Sequence, residues 1–192
     1  MLGSNSKTLT DQQLVIQSQQ GDATAFRHLY QSYQSKVRST LYQLCGNQNL
    51  DDLVQEVFLR VWKGLPKLRQ TNYFSTWLYR ITWNVANDER RQFAKQAMTQ
   101  GGDLAELETR LSRHQDSPSL MEMHYQDLVR RGLQSLSFEH RTVLVLHDLE
   151  DLPQKEVAEI LKLPTGTVKS RLFYARQAIR TFLHEQGVDD AS

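Results

Sequence analysis

Apolar residues return every three or four positions along most of this chain, and only Met98–Pro118 interrupts them. A spacing near 3.6 gives each helix one apolar stripe and does not fit the two-residue alternation of strands. Only four prolines punctuate the 192 residues, so the expected fold class is all-α. The interrupted stretch holds Gly101-Gly102, Pro118, many acids and few large apolar side chains, the composition of a linker. Leu104, Leu107 and Leu111 allow it a short amphipathic turn formed against a partner. The expected architecture is two small helical domains, residues 8–97 and 119–186, joined by an acidic flexible linker, residues 98–118.

Boundary signals divide the first domain. Thr10 with Gln13 forms a capping box beside a Leu9–Leu14 staple, and that helix ends near Gly21. Asp22 caps the next, which buries Phe26, Leu29, Tyr30, Tyr33, Val37 and Leu41 and stops at Cys45-Gly46. A third runs from Leu50 to Lys63 with Leu53, Val54, Val57, Phe58, Val61 and Trp62 inward; Gly64 and Pro66 end it. In the second domain, Leu120, Met123, Leu128, Leu133 and Leu136 mark one helix and Ser137 caps Phe138–Leu149. Pro153 suits the first turn of a helix to Leu161, and Thr165 caps a last one reaching Glu185.

Tyr73–Arg91 is the least ordinary stretch. On a helix, Phe74, Trp77, Leu78, Ile81 and Val85 make the core stripe. Nearly opposite stand Tyr79, Arg80, Trp83, Asn87 and Arg90, flanked by Asn84 and Arg91. Aromatic rings among cations and amides have two natural surroundings. One is unstacked nucleic-acid bases, each worth about 1–3 kcal/mol when stacked. The other is a neighbouring helix that covers the rings while their polar tips find partners.

Charge is informative through its distribution. The net charge is only +1, too small for indiscriminate polyanion binding. Eight cations against two acids lie between Arg60 and Lys95, and four cations with no acid between Thr165 and Phe182. From Gly101 to Asp127 six acids face two arginines, so an acidic spacer separates two basic patches. Lone Cys45 excludes an internal disulfide framework. No apolar run approaches the ~18 residues of a membrane span, and no signal-peptide core follows Met1. Met1–Lys7, small and polar, reads as disordered.

Pro153–Phe182 has the layout of a DNA-reading helix-turn-helix. A short helix with small Ala158 is followed by Lys162-Leu163-Pro164 and a helix that buries Val168, Leu172, Ala175, Ile179 and Phe182. The second helix of such a motif presents its N-terminal residues to the major groove. The groove-facing candidates are Thr167, Lys169, Ser170, Arg171 and Tyr174, with Arg176 and Arg180 for phosphates.

Three segments resemble a known family. Leu163–Leu172 is similar to region 4.2 of the bacterial extracytoplasmic-function sigma factors, Asp51–Phe58 to region 2.2, and Phe74–Ile81 with Asn84 to regions 2.3 and 2.4. The resemblance implies an initiation subunit of RNA polymerase without intrinsic catalysis, needing no cofactor and no metal. It implies docking of Asp51, Asp52, Gln55 and Glu56 on the β′ clamp helices, and a further contact with the β flap. It implies recognition and melting of a minus-10 element by Arg69, Asn72, Tyr73, Phe74, Ser75 and Asn84, to which the helical geometry adds Arg80, Trp83, Asn87 and Arg91. The minus-35 element falls to Thr167, Lys169, Ser170, Arg171, Phe173, Tyr174 and Arg176. The partners implied are core RNA polymerase, promoter DNA both duplex and single-stranded, and an anti-sigma factor that holds a stress-type regulator in check. The expected location is the cytoplasm, at the inner membrane face when so held, with no direct membrane insertion. Two features depart from the pattern: Tyr174 stands where many relatives have Arg, and Asp151-Leu152-Pro153 replaces a Gly-Leu-Ser start.

Rival functions fare worse. The six histidines show no tight ligand spacing, and Gly101-Gly102 lacks the Lys and Ser/Thr of a phosphate loop. A dimeric repressor would explain the helix-turn-helix but leave the aromatic–basic helix unused. A module that only sequesters a partner would need neither.

Overall fold

The computed structural model describes the backbone of residues 9–99 and 120–188, with side chains for 9–96 and 127–188. The expected tail, and the linker beyond its first two residues, lie outside the described residues. Among the described residues there are eight α-helices and no strand: α1 (Asp11–Gln19), α2 (Ala23–Cys45), α3 (Leu50–Gly64), α4 (Phe74–Thr99), α5 (Leu120–Gln134), α6 (Phe138–Leu144), α7 (Gln154–Leu161) and α8 (Thr165–Glu185).

Local chemistry sets most boundaries. The Thr10 hydroxyl accepts from the Gln13 N–H at 3.3 Å while the Gln13 side chain accepts from the Thr10 N–H at 2.9 Å. The Asp22 carboxylate accepts from the N–H groups of Thr24 and Ala25 at 2.8 and 3.2 Å. Ser137 accepts from the N–H of His140 at 3.3 Å. Two expected starts are displaced. Pro153 stands in the capping position before Gln154, and Pro164, not Thr165, precedes α8; neither helix has a side-chain cap. The fixed φ of proline sets the chain direction there, so the hydroxyl of Thr165 is not needed. Lys162 makes the tight turn between α7 and α8 in the left-handed conformation, φ 55°.

The α6 helix loosens into a π-helical turn, Val145–Leu149. His147 Nδ1 lies 2.7 Å from the Leu152 carbonyl oxygen and closes this turn. A widened turn of this kind brings Glu150 out of the helix at a place where it meets other elements.

The two helical units pack against each other. One core joins α1–α4 to Leu133, Leu136, Phe138, Leu144 and Val145 of the second unit. A second core is built from Val143, Leu146, Val157, Ile160, Val168 and Leu172, and it takes in Tyr79 from α4. Trp62, expected inward, is 43 % exposed and rests its ring edge-on against Phe26 at 4.8 Å. Val61 and Phe58 already fill the adjoining core positions, which leaves Trp62 at the rim.

Candidate nucleic-acid interfaces

The loop between α3 and α4 is held from beneath. Gln19 donates from one amide nitrogen to the carbonyl oxygens of Leu65 and Leu68 at 2.9 and 2.7 Å. Phe74 is only 2 % exposed and meets Tyr33 edge-on at 5.4 Å, so it is the floor of the loop and not part of its surface. Its burial agrees with the core stripe expected of α4 and not with the strand-binding place that the resemblance implied. Burial, aided by a hydrogen bond to Asp11, holds the Tyr33 phenol well above its ordinary pKa and keeps it a donor. Trp77 lies over Gly64, where an added Cβ would come within 2.8 Å of the indole. Above this floor Arg69, Asn72 and Tyr73 are exposed, and Ser75 is partly so. Gln19 escaped sequence reasoning because nothing around it signals a long-range partner.

The polar face of α4 splits in two. Asn84 and Arg91 are exposed, and Asn87 is partly covered. Tyr79, expected outward with them, is 4 % exposed, and its hydroxyl donates to Glu150 at 2.7 Å. Burial first and the Glu150 carboxylate second push its pKa far up. Trp83 packs against the second core, and Arg80 donates to the Glu159 carbonyl oxygen at 3.2 Å. Of the two surroundings open to these rings, this structure has the neighbouring helix. The exposure expected of Trp83 and Arg80 is therefore corrected: α7 and the π-helical turn reach across and cover them.

The α8 helix presents a mixed surface. Lys169, Ser170, Phe173, Tyr174 and Arg176 are exposed, while Thr167 and Arg171 are partly buried. Phe173 is 64 % exposed and meets Tyr174 edge-on at 5.4 Å, an apolar pair on a helix that is otherwise basic. Arg176 forms a forked pair with Asp148, at 2.9 and 2.6 Å, so part of its charge is answered inside the protein. Its guanidinium pKa is raised by that carboxylate.

On α3, Asp52 and Gln55 are exposed, Asp51 pairs with Arg38, and Glu56 bonds to Arg60, which also reaches Asp88 at 2.9 Å. Leu59 and Trp62 continue the same face, so positions 52, 55, 59 and 62 form an exposed seam at 3-4-3 spacing. That spacing suits a partner helix. Of these, Trp62 reads as core from helical spacing alone, and its exposure shows only in the structure.

Among the described residues no group of His, Cys, Asp or Glu is arranged to hold a metal, and no helix is long and apolar enough to cross a membrane.

Sigma-70 region 2 matches residues 29–96 and Sigma-70, region 4 matches residues 132–181. The chain is 33% identical over 181 residues to the ECF RNA polymerase sigma-E factor of Haemophilus influenzae, covering 91% of this chain and 95% of that one. To the factor of the same name from Escherichia coli K12 it is 34% identical over 180 residues, covering 91% and 94%. Two solved structures share the fold. CnrH in complex with the cytosolic domain of CnrY has a TM-score of 0.67 at 23% identity, over 91% of this chain and 97% of that one. The sigma factor RpoE in complex with the anti-sigma factor NepR from Bartonella quintana has a TM-score of 0.72 at 19% identity, over 83% and 96%. Two matched regions in the right order, and similarity along nearly the whole chain, show that it belongs to the extracytoplasmic-function family of RNA polymerase sigma factors.

Proposed function

We propose that this sigma factor divides promoter recognition between its two units, and that each uses a different physical principle. Residues 8–97 form the unit that docks on core polymerase and opens the minus-10 element; residues 119–186 form the unit that reads the minus-35 element as intact duplex. The acidic stretch 98–118 tethers them. Arg69, Asn72, Tyr73 and Ser75 receive a base that has left the stack, while Asn84, Asn87 and Arg91, with Arg80 and Trp83 once uncovered, follow the strand. Extruding a base costs a few kcal/mol, which contacts to the freed base must offset. On α8, Lys169, Ser170 and Arg171 address base edges and phosphates; Phe173 and Tyr174 suit thymine methyl groups. The chain acts without catalysis of its own.

One observation carries this reading: a single chain holds both a helix-turn-helix with an exposed basic start and a separate aromatic–basic helix beside a polar loop. A duplex-binding repressor has no use for the second. Asp51, Asp52, Gln55 and Glu56 begin the polymerase-docking face on the β′ clamp helices. An anti-sigma protein, as in the complex of RpoE with NepR, would keep the factor idle until a stress signal.

Run-off transcription with core polymerase over a genomic fragment library tests the proposal. Transcripts from defined starts are expected; a folded, polymerase-bound chain that starts none would overturn it. In the same assay Trp83→Ala with Arg80→Ala should abolish open-complex formation while polymerase binding persists.

A further inference from the structure

Arg176 does not stand free on α8. The π-helical turn Val145–Leu149 brings Asp148 to it, and the carboxylate accepts from Arg176 Nε at 2.9 Å and from Nη2 at 2.6 Å. Turns of this kind often stand at functional sites. His147 Nε2 lies 3.9 Å from the same carboxylate, beyond hydrogen-bond reach, so Arg176 is what Asp148 holds. The pair uses one edge of a planar group. A guanidinium has five N–H donors; Asp148 takes two, and the end-on edge formed by Nη1 and Nη2 stays open for a second anion. The Arg176 side chain is 55 % exposed and that of Asp148 27 %, so the fork is anchored from the protein side and presented outward. Arg176 shares the exposed flank of α8 with Lys169 and Phe173, at i, i+4, i+7 spacing.

A surface arginine without such an anchor is long and mobile. It can find a phosphate in almost any register of the helix on the duplex, and phosphate contacts carry no sequence information of their own. A fixed fork meets a phosphate only where the duplex brings one to it. That is the register in which Lys169, Ser170 and Arg171 reach their base edges. Out of register, a phosphate must compete with the carboxylate for the guanidinium. We propose that Asp148 is a positioning residue that makes the Arg176 phosphate contact conditional on the correct minus-35 sequence. The inference rests on the reading of α8 as the minus-35 helix. Asp148 itself touches no DNA; it acts through Arg176.

Holoenzyme assembled from core polymerase and the full chain is offered two competing promoter fragments. Both carry the minus-10 element of one promoter found in the run-off screen; one keeps its minus-35 element and the other has it scrambled. Asp148→Asn should raise binding to the scrambled fragment more than to the intact one. Their ratio should fall about threefold to tenfold, the worth of immobilising one long side chain. The parent should show a salt dependence steeper by about one phosphate contact on the intact fragment, and Asp148→Asn should lose that difference. Arg176→Lys keeps the charge without the fork and should lose the same discrimination. Adding Asp148→Asn to Arg176→Ala should change nothing further. An unchanged ratio in Asp148→Asn, or an effect that persists when Arg176 is replaced by alanine, overturns the inference. If Asp148→Asn loses its helical circular dichroism, Arg176→Lys decides, and undiminished discrimination there overturns it. A parent holoenzyme that transcribes but treats the two fragments alike removes the reading of α8 itself, and this inference with it.

Discussion

At Gly64 an added methyl group has little room. An alanine Cβ there would sit 2.8 Å from the Trp77 ring, which supports the floor of the loop between α3 and α4. Gly64→Ala should lower stability by about 1–3 kcal/mol in urea unfolding, less the small gain in helix propensity. Unchanged stability would mean that Trp77 moves freely. Glu139 offers a pH test. Burial opposes its charge, but the start of α6 and the Arg90 guanidinium outweigh it and leave its pKa below the usual carboxylate value. A depressed folded pKa contributes stability that is complete above the unfolded value and disappears as pH falls through the folded one. Glu139→Gln should therefore be slightly less stable than the parent at neutral pH, and the gap should close below about pH 4.5. With the pair half exposed, the effect is small, and thermal melts across that range would read it. Both residues were legible as types, a glycine after a helix and an acid in a first turn. Their partners Trp77 and Arg90 were not, because nothing local names a residue so far along the chain.

Two helices carry the proposed recognition surfaces. On α8, Arg171→Ala should reduce discrimination for the preferred minus-35 sequence by about 1–3 kcal/mol if Arg171 reads a base edge. An equal loss on every sequence in a binding competition would make it a phosphate contact instead. On α3, the exposed seam ends in Leu59 and Trp62, and apolar anchors of this kind dominate docking energies. Leu59→Ala with Trp62→Ala should weaken binding to core polymerase at least about tenfold, or ~1.4 kcal/mol, while strand binding by the free protein stays unchanged. Polymerase affinity indistinguishable from the parent would confine the docking face to its polar start. Helix periodicity located both elements from the sequence alone. It misplaced the end of the α3 stripe at Trp62, because a helix rim looks the same as a core position until its neighbours are known.

For the molecule as a whole, the main feature is the packing of the two units against each other. Tyr79→Phe removes a hydrogen bond across the two units without disturbing the ring, and should cost about 1 kcal/mol of the closed arrangement. Faster amide exchange in α7 and the turn before it, with exchange in α2 unaltered, would show that the units part as separate bodies. Uniform exchange throughout would show instead that they unfold together. By itself the sequence determined the all-α class, the main helix boundaries and the two basic faces, because caps, turns and apolar spacing act over a few residues. Only the tertiary structure decided that Trp62 is a rim and that Tyr79 is buried under the second unit. Those outcomes depend on which helices meet, α3 with α2 at Trp62 and α4 with the second unit at Tyr79, and no periodicity within one helix contains that choice.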